Sequence, residues 1–576
     1  MSLNVPQVQV AKVIDPRLAI RTKRDYVALK GSLVNTHQAF PATTINNSSL
    51  QITSNPPNRG IVISRLVYKR VSFDITINGV NPGPGPLLSE GYYGPRAYPL
   101  ASVTSSEQIT LNNDTLTQAP VSQYWPALLW YHNEWRNRFG QYSLTPSMQD
   151  QFQDYNEAAG SVRNPLAPYG DNSLEITRGS YAGMEVLTNT QNQATIRLTV
   201  TEPILISPMV FGQGSNFTAG LSGIQNMSYT ATLGDLRRVL SLTPTQGDPA
   251  KLITSNDIIV NLASATLLFN YLTPDPLMPV PRNLVSSYFS IVSYPTRSSV
   301  PVAPGGVVDL NMQSIQVTSI PRRIYVFARR DDAEQTAFTS DTFMSLPIGE
   351  NPVSMTWNNN QFLSQCSTED LYNISVKNNV NMNYTQFVKH TGSVLCLDFG
   401  TDIGLMSDEA PGSLGNYQMS VRARFRNTSA AALTPTLYVV VVYEGTFNVR
   451  DGNCSHMIGV LSRKDVLDSR RTPGVTYSRA MDVYGGSFFN KLGSAFRKAH
   501  DWAKDNKVLS RGLSVLPHPA AQVAAKAASM AGYGMSGGSL MNMSDLAEGD
   551  GDADETHEQS RDREYDHQNY KYDKQW

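Results

Sequence analysis

Side chains whose types and spacing could do chemistry are few in this chain, and each set admits a plainer reading. Cys454-Ser455-His456 puts a thiol and an imidazole close together, as a metal site requires, but no third or fourth ligand lies nearby, so the set reads as loop residues. Trp130-Tyr131-His132-Asn133-Glu134-Trp135 could bind a ligand or move a proton; aromatics around a single His more often pack in a core or against another subunit. Asp550-Gly551-Asp552-Ala553-Asp554-Glu555 imitates the start of a calcium loop, yet Glu555 stands where the sharp turn needs Gly and Arg561 where a bidentate Glu belongs. It reads as a solvated acidic stretch. Arg322, Arg323, Arg329 and Arg330 flank an apolar strand and could meet nucleic-acid phosphates without sequence preference, pair across a subunit boundary, or face solvent. The sequence contains no phosphate-binding Gly-Lys-Ser/Thr loop, His-Glu-x-x-His helix or Cys-x-x-Cys pair. The expectation is a protein that is not an enzyme and needs neither metal nor cofactor.

The elements that position these residues follow from composition and period. Of 576 residues 40% are hydrophobic, enough for two or three cores, and only 16% are charged, against about 25% in an ordinary soluble protein. Asn, Thr, Ser and Gln crowd the connections, with 34 Pro and 40 Gly, a profile of strands joined by long polar loops. A net charge of -1 sets up no global field toward nucleic acid or an anionic membrane. Cys366, Cys396 and Cys454 are odd in number and widely spaced, which argues against a disulfide framework and for folding in a reducing compartment. Met1 to Lys12 lacks the pattern of a secretory signal and no run of about 18 apolar residues occurs, so a soluble product made inside the cell is expected. Asn-x-Ser/Thr triplets at Asn226, Asn373 and Asn427 then read as loop composition.

Strict alternation marks strands at Val71 to Ile77, Ile196 to Thr201 and Tyr417 to Arg426, the last with an arginine side that must face solvent or a partner. Leu437 to Tyr443 is apolar on both faces and must lie inside a sandwich or against another subunit. The run from Thr273 to Arg282 carries four prolines and reads as a stiff linker between two similar halves, each one β-sandwich with a helical insertion, at Val121 to Arg138 and Ser367 to Ser375. After Val449 the character changes. Phe488, Leu492, Phe496, Ala499, Trp502, Leu509, Leu513 and Leu516 fall at helical spacing among Lys491, Arg497, Lys498, Lys504, Lys507 and Arg511, a cationic amphipathic helix. Pro517 and Pro519 end it, and Ser544 to Trp576 is acidic, without period, and expected to be disordered.

In order along the chain stand Asn55-Pro56-Pro57, Arg178-Gly179-Ser180-Tyr181, Ser319-Ile320-Pro321-Arg322-Arg323-Ile324-Tyr325-Val326-Phe327, Met355-Thr356-Trp357-Asn358-Asn359, Asp370-Leu371-Tyr372, and Glu409-Ala410-Pro411-Gly412 to Gln418. Over most of its length the chain thereby resembles the double jelly-roll major capsid proteins of virophages and Polinton-like DNA viruses. The resemblance implies an all-β fold of two tandem antiparallel jelly-roll sandwiches and a C-terminal helical then disordered tail. It implies homotrimers that form pseudo-hexagonal capsomers, tile an icosahedral shell and meet a minor capsid or penton protein, in a virion assembled inside the host cell. The boundaries expected are an N-terminal arm at 1–49, a first roll at 50–272, the Pro-rich linker at 273–282, a second roll at 283–450, a connector at 451–486 and the tail at 487–576.

Within the tail, Val483-Tyr484-Gly485-Gly486-Ser487 and Met535-Ser536-Gly537-Gly538-Ser539 resemble sites cut by the adenovirus-type maturation cysteine protease. Paired glycines let a protease groove approach the extended backbone closely. Met535 matches that pattern better, whereas Val483 departs from its Met, Leu or Ile; cutting after Gly486 would free the cationic helix. That helix has three open readings: a contact in assembly or with the capsid interior, a membrane-active peptide after cleavage, or a generic docked helix. Packaged DNA is the phosphate partner the four arginines would meet. Two other classes stay in view. An extracellular-type β-sandwich that binds or cleaves glycans predicts a signal peptide and paired carboxylates, for which Asp171 and Glu175 are candidates without placement. A small RNA or single-stranded DNA virus coat would need one roll and a strongly basic arm, where this chain has only Arg21, Lys23 and Arg24.

Overall fold

Alternating side chains that bury one face sort the strands into facing sheets. The computed structural model describes residues 34–56, 60–90, 92–131, 181–209, 220–274, 283–349, 351–429, 431–459 and 461–470. Its N-terminal part carries β1 (Val34–Pro41), β2 (Thr44–Asn46), β3 (Ser49–Ser54), β4 (Val62–Ile63), β5 (Tyr68–Asn78) and β6 (Tyr93–Pro95). There follow β7 (Thr104–Leu111), β8 (Asp114–Gln118), β9 (Met184–Asn189), β10 (Gln193–Pro203), β11 (Met227–Leu233), β12 (Leu240–Leu242) and β13 (Ile258–Thr273). Helix α1 (Pro99–Val103) precedes β7 and α2 (Val121–Tyr131) follows β8. One sheet runs β1-β13-β5-β10-β9 with β4 beside β13; the facing one runs β2-β3-β11-β7-β8; β6 and β12 form a small ribbon.

The second part repeats the plan with β14 (Asn283–Arg297), β15 (Val307–Asn311), β16 (Ile315–Ser319), β17 (Arg323–Arg330), β18 (Val353–Trp357) and β19 (Asn360–Phe362). It ends with β20 (Leu395–Asp398), β21 (Leu414–Arg426), β22 (Pro435–Arg450) and β23 (Asn453–Ile458). Its sheets run β14-β22-β17-β20, with β23 on β22, and β15-β21-β18-β19, with β16 on β21. Helices α3 (Thr368–Lys377), α4 (Tyr384–Lys389) and α5 (Arg463–Arg470) complete the description. All sheet pairings are antiparallel.

Local chemistry explains these elements. In β5, Val71, Phe73, Ile75 and Ile77 all point inward at 1% exposure or less, each worth about 1.5–3 kcal/mol of burial. Ser367 caps α3 by accepting from Asp370 N while the Asp370 carboxylate accepts from Ser367 N, a reciprocal capping box. Two-residue turns close two hairpins of the second sandwich: Asn358-Asn359 between β18 and β19, and Asp451-Gly452 between β22 and β23. All four residues have positive φ, as the turn matching strand twist requires.

The structure departs from the expected outline in places. Strands β1 and β2 lie inside the expected N-terminal arm, because their Thr, Asn and Gln side chains are largely solvent-facing and carry no apolar alternation. The expected connector opens with β23, so Cys454-Ser455-His456 is strand and not loop; the Asp451-Gly452 turn sends the chain back along β22. Asn373 sits on α3 and not in a loop, whereas Asn427 lies in the loop after β21 but is fully buried, its amide donating to the Val302 and Ala431 carbonyls. The helical insertion expected at Val121 to Arg138 is α2 as far as Tyr131; residues 132–138 lie outside the described residues, as does 275–282 of the linker.

Gly445 faces Tyr288 on β14 and Ile458 on β23, and a Cβ there would run into the Met457 carbonyl. Gly445→Ala is expected to push β23 off β22 and cost about 1–3 kcal/mol, read from the urea midpoint; an unchanged midpoint contradicts this packing.

Candidate functional site

Charged side chains occupy inward positions of both sandwiches. Lys69 on β5, 0% exposed, donates to Glu107 on β7, and Tyr229 on β11 donates to the same carboxylate at 3.0 Å, so one ion pair joins the facing sheets. Glu107 also accepts from Leu205 N at 3.2 Å. Glu202, opposite Lys69 in the ladder, accepts from Leu100 N and Ala101 N at the start of α1, both at 2.8 Å. Burial lowers the Lys69 pKa, opposed by the nearby Glu202 charge, and raises that of Tyr229. In the second sandwich Arg323 on β17 grips Asp398 on β20 with two hydrogen bonds from directly opposite ladder positions.

A second set of polar contacts joins one sandwich to the other. Arg96, 1% exposed, donates to Arg238 O at 2.9 Å on its own side and to Thr336 O and Thr339 O at 3.0 and 3.1 Å across the boundary. Its guanidinium lies 3.1 Å from Asp341, and Arg238 lies 3.5 Å from the same carboxylate while donating to Gln335. Burial lowers the Arg238 pKa and Asp341 opposes the shift. Leu242 N donates to Ala337 O at 3.0 Å. Nearby, Arg329 pairs with Asp332 at 2.9 Å, donates to Ser122 O at 3.0 Å, and sits 5.2 Å from the Tyr438 ring. Gln123 of α2 donates to Asp332 at 3.0 Å.

At the other lock, the β7–β8 turn meets the β22–β23 turn. Asn112 donates to Gly452 O at 2.7 Å, and Asn113 both accepts from Cys454 N at 2.7 Å and donates to Cys454 O at 3.2 Å, imitating a strand partner. Asp114 lies 2.8 Å from His456 Nδ1, whose ring stands 5.1 Å from that of Tyr288. Between the locks Phe289 N on β14 donates to Ser207 Oγ at 3.0 Å, so the first sandwich fills a hydrogen-bonding position that an edge strand leaves open.

The residues singled out from sequence divide accordingly. Arg322, Arg323, Arg329 and Arg330 pair with Glu444, Asp398, Asp332 and Glu334, so these cations are engaged within the chain. Burial pushes the Cys396 thiol up to about 12 and Cys454 to about 11, which keeps both protonated at neutral pH. Among the described residues no group of three or more His, Cys, Asp or Glu could hold a metal ion. Trp130 and Tyr131 end α2, while His132 to Trp135, Asp171 and Glu175 lie outside the described residues. So do Gly485, Gly486, Ser487, Gly537, Gly538 and Ser539, the helical positions Phe488, Leu492, Phe496, Trp502 and Leu509, and the acidic Asp550 to Glu555.

The architecture and the sequence have known counterparts. A family model described as the Sputnik virophage major capsid protein 1st domain matches residues 7–272, and one described as the major capsid protein V20 C-terminal domain matches residues 291–445. The putative capsid protein V20 of Sputnik virophage is 30% identical over 93% of this chain and 95% of its own length. The chain belongs to the virophage major capsid protein family. The cryo-EM structure of the Sputnik virophage contains a chain that superposes with a TM-score of 0.73 at 30% identity, covering 84% of this chain and all of that one. The mavirus major capsid protein crystal structure superposes with a TM-score of 0.64 at 15% identity, over 82% of this chain and 100% of its own, which supports the double jelly-roll fold. A virophage-type major capsid protein works in the virion as a structural subunit.

The sequence reading missed Lys69, Glu107, Glu202 and Arg96. A signal was present for the first three: each continues the inward parity of its strand, Lys69 with Val71 and Phe73, Glu107 with Ile109, Glu202 with Val200 and Leu198. Arg96 sits in a connection, where no period applies.

Lys69→Met strands a buried carboxylate and is expected to cost about 3–5 kcal/mol of unfolding free energy, most of it recovered in Lys69→Met with Glu107→Leu. Equal loss in the single and double variants would contradict the pairing. Asp341→Asn is expected to raise amide exchange at 336–341 without altering β5 or β21, since it removes the carboxylate that Arg96 and Arg238 share and leaves only their hydrogen bonds to Thr336, Thr339 and Gln335. Unchanged exchange there sinks the clamp.

Proposed function

We propose that this major capsid protein trimerises into pseudo-hexagonal capsomers that tile an icosahedral shell around viral DNA. The observation that carries the reading is the pair of similar sandwiches locked to each other by buried Arg96–Asp341 and by the Asn113–Cys454 contact. Two lobes held in one orientation give six lobes in a three-fold ring, and such a ring closes without leaving an open interface. Burial of apolar surface between copies, repeated over a lattice, turns modest contacts into a stable shell. A minor capsid or penton protein fills the five-fold positions that a six-lobed unit does not fit.

The tail from residue 487 acts as an assembly segment until a maturation cysteine protease cuts after Gly486 or Gly538, making assembly irreversible. Support for the cuts is the pair of Gly-Gly sequences on either side of the cationic amphipathic segment.

Expressed as the full chain and as residues 1–486, the protein is expected to run at three times the chain mass in light scattering. It should form hexagonal or spherical particles in negative stain, with closure differing between the two forms. Monomer in both forms would overturn the proposal. On co-expression with such a protease, replacing Gly485 and Gly486 by Val should abolish trimming at that position; the same trimmed product would eliminate this site and leave Gly537-Gly538.

A further inference from the structure

One cavity of the second sandwich combines an aliphatic wall with a cationic rim. It measures about 290 Å³ and opens where the end of β21 meets the loop before β15 and the end of α4. One wall is aliphatic, formed by Leu346, Val388 and Ile348, of which Ile348 is 59% exposed. The rim carries Lys389 and Arg426, and no acidic residue lines the cavity.

The arginines of β21 show why this charge stands apart. Arg422 and Arg424 share Asp309 on β15, each at 3.6 Å. Arg426, next on the same face, stands opposite Val307, and among the described residues no carboxylate pairs with it or with Lys389. Beside it Thr428 Oγ1 is buried with no hydrogen-bond partner. The loop that presents Thr428 is fixed: the Asn427 amide donates to Val302 O and Ala431 O, and Gly305, at φ +75, donates its N–H to Asn427 O at 2.8 Å.

We propose that this cavity binds a small amphiphilic oxyanion, a carboxylate on a short aliphatic body, with Arg426 and Lys389 at the oxygens and Ile348, Val388 and Leu346 against the chain. An anion completes the two cations, and the aliphatic body covers Ile348. The volume admits about one short chain or two side chains, so the carboxylate comes either from a free small molecule or from an acidic residue beside an aliphatic one on another polypeptide.

Isothermal titration of the full chain tests this with four probes: hexanoate, N-acetyl-Leu-Glu-amide, hexanol and inorganic phosphate. Saturable binding of hexanoate or of the peptide, not reproduced by hexanol or phosphate, is expected. That binding should weaken about fivefold in Arg426→Gln and fall also in Ile348→Asn, both exposed positions whose replacement leaves the fold intact. Hexanoate alone assigns a free amphiphile, the peptide alone assigns a side chain of another polypeptide, and either supports the site. No saturation by either probe, equal binding of phosphate, or binding indifferent to both substitutions overturns it.

Discussion

A strand that is apolar on both faces cannot sit at the surface of a sandwich, and β22 imposes that constraint here. Leu437, Val439, Val440 and Val441 are all 0% exposed and Tyr438 is 1% exposed, so both faces of this stretch are covered. One face meets the opposing sheet. On the other, Tyr438 shares a side with Arg329, and Arg329 donates to Ser122 at the head of α2 in the first sandwich. Covering β22 therefore brings the two sandwiches together, and every polar contact at the junction has to be satisfied once they meet.

The buried charges follow from that demand. Arg96, Arg238 and Arg329 leave water at the boundary, and each is met by a carboxylate or by backbone carbonyls fixed in loops of the two sandwiches. Inside the first sandwich Lys69 and Glu107 do the same between facing sheets. Such pairs add little net stability over well-packed apolar residues. What they discriminate against is a slipped register: moving β5 by one residue would turn Lys69 outward and leave Glu107 buried without its cation.

Legibility tracked apolar period. The alternation of Val71 to Ile77, Ile196 to Thr201 and Tyr417 to Arg426, and the continuous run Leu437 to Tyr443, located the central strands of both sandwiches, because burial of one face or two leaves that pattern. Strand β1 escaped notice because it is held mainly by its ladder to β13, and ladder hydrogen bonds use backbone groups that every residue has. The locks were illegible for a different reason. Asn113 and Cys454 are 341 positions apart, as are few contacts in a helical protein, and single-sequence parity says nothing about which distant turn a side chain will meet. Arg426 stood out in sequence only as part of an arginine face; that no carboxylate among the described residues pairs with it depended on Val307, not Asp309, falling opposite.

Rigidity between the lobes has a consequence for assembly. Two sandwiches joined only by a proline-rich segment would sample many relative orientations, the default for domains with small interfaces. Each subunit would then lose that freedom on entering the proposed ring, and the contacts between copies would have to offset the loss at every position of the proposed shell. Locks at two separated places, one around Arg96 and one around Asn113, remove a rotation that either alone would permit. The ordering is thus met once, during folding of the chain, by hydrophobic burial of β22 and by internal hydrogen bonds. In the proposed shell, contacts between copies then need not supply that ordering again.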